Sequence, residues 1–206
     1  MKLIDISQPL NQTTQEWPND HPFEFALSWS IEKASTVNVG KVTTSTHIGT
    51  HIDAPYHFDN DGKKVHELVI ELYVGKARVI EISGKKEIGI EDLQGFDLSG
   101  VKRLLIRTNS WKDRTKFPTS ITSLKPEVAS FLAGKGVQLV GVDTPSVDQL
   151  DSKDLLAHHH LHKNGIYILE GIVLDEVELG DYELIALPLS IEGADGSPVR
   201  AVLKNI

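Results

Sequence analysis

The chain has 206 residues, of which 40% are hydrophobic and 24% charged, and this length and composition predict one globular domain over residues 1–206. The net charge of −8 argues against a nucleic-acid partner, whose binding relies on clustered Lys and Arg. The absence of cysteine excludes disulfides and thiolate chemistry, so a metal ion would have to be held by His, Asp or Glu. Neither a secretory signal nor a bilayer-spanning apolar run is present, and we expect a soluble, cytoplasmic protein.

Strand signals dominate the chain from its start. Alternating or β-rich segments predict strands at 1–7, 23–31, 37–44, 78–82, 103–107, 137–142, 166–169, 184–189 and 199–203. Helices are predicted at 126–133, at 151–163 with Asp151 as N-cap, and in a short turn at 91–93. A strand-rich first half followed by alternating strands and helices indicates an α/β fold in which a few helices flank a mostly β core.

The segment 45–57 carries the first candidate site. Glycine, β-branched neighbours and a proline argue against a helix here. In an extended strand His47, Gly49, His51 and Asp53 would share one face, with room for an ion between the imidazoles. Two imidazoles and a carboxylate are typical ligands of a catalytic metal, although a polar face of solvated histidines is the ordinary alternative. Spacing leaves open whether His57 is a ligand or a proton-transfer group.

The second candidate site combines a histidine row at 158–162 with a lone acid downstream. Glu170 is the one charged residue in the apolar run 166–174, and burying an unpaired carboxylate costs several kcal/mol. It should therefore be paired, protonated or metal-bound, unless it turns outward or meets an arginine such as Arg107 or Arg200. A helical histidine and Glu170 would complete the first cluster and suit a two-metal site with a bridging carboxylate.

Other motifs are less specific. No Gly-x-Ser-x-Gly elbow exists, which removes the usual serine-hydrolase turn. The glycine-rich segment 193–197 is predicted to be a turn before the last strand. The segment 143–146 follows a strand and either brings polar groups near the site or forms a plain strand-to-loop turn. Trp17 lies in an early loop, where it would either pack in the core or offer an aromatic wall to a planar substrate.

These motifs resemble the cyclase-like metal-dependent hydrolase family. The family pattern His-x-Gly-Thr-His-x-Asp-x-Pro-x-His is complete from His47 to His57. Further similarity runs over nearly the whole chain, at 17–18, 141–146, 157–159, 168–171, 182–189 and 197–202, and points to the formamidase branch. The resemblance implies a swivelling β/β/α fold, a homodimer and two divalent metal ions per subunit, usually zinc and in some relatives manganese.

The resemblance also implies residue roles. His47, His51 and Asp53 would bind one metal, and Asp53, His158 and Glu170 the second, with Asp53 and Glu170 shared. His57 would donate and accept the proton, and Trp17 would contact the substrate. Asn19 departs from the family pattern, which has glycine there; because asparagine tolerates positive φ, the early loop is expected to keep its turn.

The expected activity is hydrolysis of N-formyl-L-kynurenine to L-kynurenine and formate in tryptophan degradation. One alternative keeps the site and changes the substrate to another cyclic or aryl amide such as isatin. Another is a non-catalytic protein that binds a metal or a ligand. No nucleic-acid or membrane partner is expected.

Overall fold

The structure is a computed structural model that describes residues 2–33 and 36–206. Its strands are β1 (Leu3–Asp5), β2 (Glu24–Trp29), β3 (Val39–Thr43), β4 (His51–Asp53), β5 (Val74–Glu81), β6 (Glu87–Ile88), β7 (Arg103–Arg107), β8 (Ser123–Leu124), β9 (Leu139–Val142), β10 (Tyr167–Glu170), β11 (Gly180–Ile185), β12 (Gly196–Pro198) and β13 (Val202–Asn205). The α-helices are α1 (Ile90–Leu93), α2 (Val128–Gly134) and α3 (Leu156–Lys163). Short 3-10 turns lie at Ile31–Lys33, Pro55–His57, Val65–Glu67 and Ile70–Tyr73.

One mixed sheet organises the fold. Its nine strands run in the order β1-β13-β11-β5-β7-β9-β10-β4-β12. The central strands β5, β7, β9 and β10 are parallel, and the flanking strands on both sides are antiparallel to their neighbours. Two further pairs stand apart from this sheet, β2 with β3 and β6 with β8.

Apolar side chains fill both faces of the central sheet. Leu104, Ile106 and Val140 belong to a cluster that packs against α2 and α3, whereas Leu105 and Leu139 belong to the cluster on the other side. This division follows from the two-residue period of a strand, and it explains why the central strands are almost continuously apolar. Each such buried side chain contributes about 1.5–3 kcal/mol of transfer free energy.

Most predicted elements are present, with shifted bounds. The strand 103–107 has the predicted limits, but the strand expected at 184–189 lies at Gly180–Ile185, and Met1 of the strand predicted at 1–7 lies outside the described residues. The helix predicted at 151–163 begins only at Leu156, so Asp151 as its N-cap was wrong. The N-cap is Leu155, in a left-handed conformation with φ of 43°. None of the helices in the described ranges is long and apolar enough to cross a membrane.

The extended strand predicted through residues 47–53 was also wrong in part. Strand β4 starts at His51, and the preceding residues form bends. Gly49 has φ of 60°, a conformation that reverses the chain and that glycine adopts without steric cost. His47 and His51 therefore do not share a strand face by alternation.

Candidate metal centre

Strands β4 and β10 form the floor of the candidate site. Their antiparallel register pairs His51 with Glu170 and Asp53 with Ile168. Residues that are paired across two neighbouring strands, or that lie two apart on one strand, share a face of the sheet. All four side chains therefore point to the same side. Ile168 packs in the same cluster as the buried face of α3. The site therefore lies between this part of the sheet and α3.

Helix α3 contributes another candidate ligand, His158. The Asp148 carboxylate accepts hydrogen bonds from the backbone N–H groups of Ala157 and His158, at 2.9 and 3.1 Å, and so caps the helix. The same carboxylate lies 2.7 Å from His158 Nδ1. This fixes the ring so that Nε2 faces Asp53 Oδ2 at 3.3 Å and Glu170 Oε1 at 3.6 Å.

The bend before β4 brings in His47. Its Nδ1 lies 2.9 Å from Asp53 Oδ1, and its Nε2 lies 3.0 Å from Asp195 Oδ2. The His51 Nδ1 faces the Gly49 carbonyl at 3.1 Å, which leaves its Nε2 towards Asp53 Oδ1 at 3.6 Å and Glu170 Oε2 at 3.4 Å. The structure thus brings together all five residues that the resemblance assigned to the metals.

These donor atoms fit a divalent metal. Ligands about 2.0–2.1 Å from a tetrahedral ion lie roughly 3.3 Å apart, close to the 3.3–3.6 Å separations around His51 and His158. Asp53 Oδ2 is buried and has no hydrogen-bond partner among the described residues. A buried carboxylate oxygen without a partner is costly, and a cation would satisfy it.

The electrostatics of the cluster favour positive charge. Burial lowers the pKa of His47, but hydrogen bonds with Asp195 and Asp53 outweigh it and raise the pKa to about 10. His158 behaves in the same way: burial lowers its pKa, but the neighbouring carboxylates, above all that of Asp148, outweigh burial and raise the pKa to about 10. The pKa of Asp53 is lowered well below its usual range, since the neighbouring imidazoles outweigh its burial. A protonated imidazole or a metal ion compensates this negative charge.

The cluster opens into a cavity of about 470 Å³. Trp17 and Phe117 form one wall, with their rings edge to face and their centroids 5.1 Å apart. Trp17 is 36% exposed at the cavity rather than packed in the core, which was the alternative for this residue. Asn19 has φ of 72°, so the predicted positive-φ turn of this loop is present. Lys153 also lines the cavity.

His57 lines the same cavity beside the cluster. Its ring stacks on that of His47, with centroids 3.9 Å apart, and its Nδ1 lies 3.7 Å from Asp195 Oδ2. Sequence reasoning missed Asp195 and Asp148. Asp195 was placed in a plain turn, since spacing carries no sign that residue 195 returns to the histidines of residues 47–57. His159 and His160 of the histidine row are exposed.

The fold and this donor set define a cyclase-type hydrolase. The family described as Putative cyclase matches residues 4–149, and the chain belongs to this family. A kynurenine formamidase from Bacillus cereus is 58% identical over 203 residues, which cover 98% of this chain and 97% of that protein. The family resemblance of the sequence motifs is thereby confirmed.

Solved structures show the same fold. One described as a potential metal-dependent hydrolase with cyclase activity has a TM-score of 0.85 and 25% identity, covering 98% of this chain and 96% of that one. Isatin hydrolase A from Labrenzia aggregata has a TM-score of 0.83 and 24% identity, covering 98% and 93%. The predicted strand-rich α/β class with few helices is confirmed.

Proposed function

We propose that this protein is a metal-dependent arylformamidase that hydrolyses N-formyl-L-kynurenine to L-kynurenine and formate in tryptophan degradation. The observation that carries this proposal is the buried cluster of imidazoles and carboxylates at the floor of a cavity with aromatic walls. The 58% identity over nearly the full length to a protein named kynurenine formamidase narrows the substrate to an aryl formamide.

The proposed centre holds two divalent metals, most simply zinc. His47, His51 and Asp53 form one group of potential ligands, and Asp53, His158 and Glu170 form a second; a third group, His47, His57 and Asp195, is less buried. His47 would bind through Nδ1, and His51 and His158 through Nε2, because these are the nitrogens that face Asp53. Manganese also accepts imidazole and carboxylate ligands, so the donor set favours zinc without excluding manganese.

The chemistry needs an activated water and a proton for the leaving nitrogen. A bound divalent metal supplies a water of lowered pKa and a positive charge that stabilises developing negative charge on the formyl oxygen. His57 faces the cavity while its Nδ1 is directed to Asp195, so its Nε2 is free to take the proton of the attacking water. The same nitrogen returns the proton to the departing aniline nitrogen, a role suited to imidazole.

The cavity suits an aromatic amino acid. Trp17 and Phe117 would hold the aryl ring of the substrate. Lys153 is the one Lys or Arg among the described residues that line the cavity, and it would bind the substrate carboxylate. Isatin has no carboxylate, so a contact with Lys153 favours formylkynurenine over the alternative substrate.

A homodimer is the proposed assembly of these single-domain subunits. The hairpin of β2 and β3 carries exposed Phe25, Leu27, Trp29 and Val42, with between 49% and 62% of each side chain exposed. Large apolar side chains gathered on one exposed hairpin are typical of a protein interface. A second copy of this chain would cover them.

The decisive experiment is hydrolysis of N-formyl-L-kynurenine and of isatin by purified protein, before and after chelation, with the metal counted on the same sample. We expect turnover of formylkynurenine that chelation abolishes and zinc restores, at about two metals per chain. A higher kcat/KM for isatin would contradict the proposed substrate, and absence of turnover of either amide by the metal-loaded protein would favour a non-catalytic binding protein.

A further inference from the structure

We propose that Asp195 is a positioning residue, whose carboxylate orients both His47 as a metal ligand and His57 for proton transfer. In its catalytic part this inference rests on the proposed function. Asp195 directly precedes β12, in the loop that leads into this strand. Its Oδ2 lies 3.0 Å from His47 Nε2 and 3.7 Å from His57 Nδ1.

The first consequence concerns the His47 ring. Its Nδ1 faces Asp53, so metal binding would use that nitrogen and leave the proton on Nε2, where Asp195 accepts it. A carboxylate that accepts a hydrogen bond from the imidazole nitrogen that does not bind the metal fixes the tautomer of the ring. It also raises the basicity of the nitrogen that does bind. Gly196 allows this position, because a Cβ at residue 196 would lie 2.7 Å from His47 Cε1.

The second consequence concerns His57. The two imidazoles are stacked, and the same carboxylate oxygen faces one nitrogen of each. With a proton on Nδ1 held towards Asp195, the Nε2 of His57 presents its lone pair to the cavity. A carboxylate behind a catalytic imidazole also stabilises the imidazolium that forms during proton transfer.

The carboxylate itself is held in place by its neighbours. Thr46 Oγ1 donates to Asp195 Oδ1 at 2.8 Å, which turns Oδ2 towards the histidines. The loop is anchored separately, because the Ala54 N–H donates to the Asp195 carbonyl at 2.8 Å. A change of the Asp195 side chain should therefore remove the carboxylate contacts without displacing the loop.

The test compares Asp195→Asn, His57→Ala and the double variant with the wild type. Zinc affinity is measured by competition with a chromophoric chelator, and kcat and KM are measured at saturating zinc. We expect Asp195→Asn to weaken zinc binding about tenfold or more through His47. At saturating zinc it should lower kcat about tenfold or more through His57, whose imidazole loses the carboxylate that orients it. Its KM should change little. In the His57→Ala background, Asp195→Asn should change kcat by less than about twofold, because a positioning residue acts through the residue it positions.

Asp61→Asn is the matched control, since Asp61 is an exposed aspartate four residues after His57 in the chain. Its zinc affinity and kcat should equal those of the wild type. Unchanged zinc affinity in Asp195→Asn, or losses of kcat that multiply in the double variant, would overturn the assignment. If Asp195→Asn does not fold, Thr46→Val removes the hydroxyl that turns the carboxylate and should give a smaller loss of the same kind. Zinc affinity is measured without substrate, so failure of the positioning role and failure of the proposed substrate are separable.

Discussion

Asp53 and Glu170 each divide their two carboxylate oxygens between the same two histidines. Asp53 Oδ1 and Glu170 Oε2 face His51, whereas Asp53 Oδ2 and Glu170 Oε1 face His158. This arrangement follows from the register of β4 against β10 and from the packing of α3 on the same face of the sheet. Two carboxylates shared in this way would each offer an oxygen to both sides of the proposed metal centre.

Asp53→Asn should remove both of the proposed metals, because Asp53 belongs to both of the proposed ligand groups. We expect metal content to fall towards zero and kcat to fall by more than about 100-fold. Mutation of a residue that only supports a metal ligand already lowers metal affinity or activity about 10–100-fold. Metal analysis after dialysis and steady-state kinetics measure both effects. Asp59→Asn, an exposed acid on the neighbouring turn, is the control. One tightly held metal in Asp53→Asn would contradict the shared role.

His57→Ala should separate chemistry from metal binding. Because His57 belongs only to the less buried group with His47 and Asp195, and to neither group around Asp53, metal content should remain that of the wild type. Loss of the proton-transfer group should lower kcat by roughly 100-fold or more. His160→Ala, at an exposed position of α3, should leave both values unchanged. Loss of metal in His57→Ala would make His57 a ligand instead.

Metal binding should release protons. His47 and His158 have pKa values raised to about 10, so both carry a proton at pH 7 in the metal-free protein, and a metal binds only the neutral ring. We expect release of about two protons per chain at pH 7 and a metal affinity that rises with pH up to about 10. Titration calorimetry in buffers of different ionisation enthalpy measures the released protons. An affinity that does not change between pH 6 and pH 9 would contradict this.

Lys153→Ala should weaken binding of the amino-acid substrate selectively. A hydrogen bond to a charged group contributes about 1.5–3 kcal/mol, so KM for N-formyl-L-kynurenine should rise about tenfold or more. KM for formanilide, which has no carboxylate, should stay the same. Lys163→Ala, at the end of α3 and away from the cavity lining, serves as the control. Equal effects on both substrates would show that Lys153 does not contact the carboxylate.

Trp29→Glu should weaken the proposed dimer. Trp29 is 62% exposed on the β2–β3 hairpin, and a carboxylate there would have to be desolvated in an interface. We expect a shift from dimer to monomer in light scattering after size-exclusion chromatography. Ile70→Glu, at another exposed apolar position, controls for general surface effects. A dimer of unchanged affinity in Trp29→Glu would place the interface elsewhere.

The sequence predicted the central strands well and the element ends poorly. Strand 103–107 has its predicted bounds because three apolar residues stand between Arg103 and Arg107, and both faces of the sheet are buried there. The predicted start of α3 was wrong because the carboxylate that caps this helix belongs to Asp148. Asp148 precedes the predicted helix, and its side chain accepts hydrogen bonds from backbone N–H groups of the first turn. A local propensity argument detects only caps that are adjacent in sequence.

The sequence by itself determined the chemistry of the centre, since a chain without cysteine that gathers His47, His51 and Asp53 within seven residues can offer a metal only nitrogen and oxygen. It also marked Glu170 as a carboxylate that needs a partner. Tertiary structure alone decided that Glu170 lies opposite His51, that Asp148 contacts His158 and Asp195 contacts His47, and which nitrogen of each ring faces Asp53. These relations depend on strand register and on loops that return from distant positions, and a side-chain pattern along one strand carries no information about its neighbour.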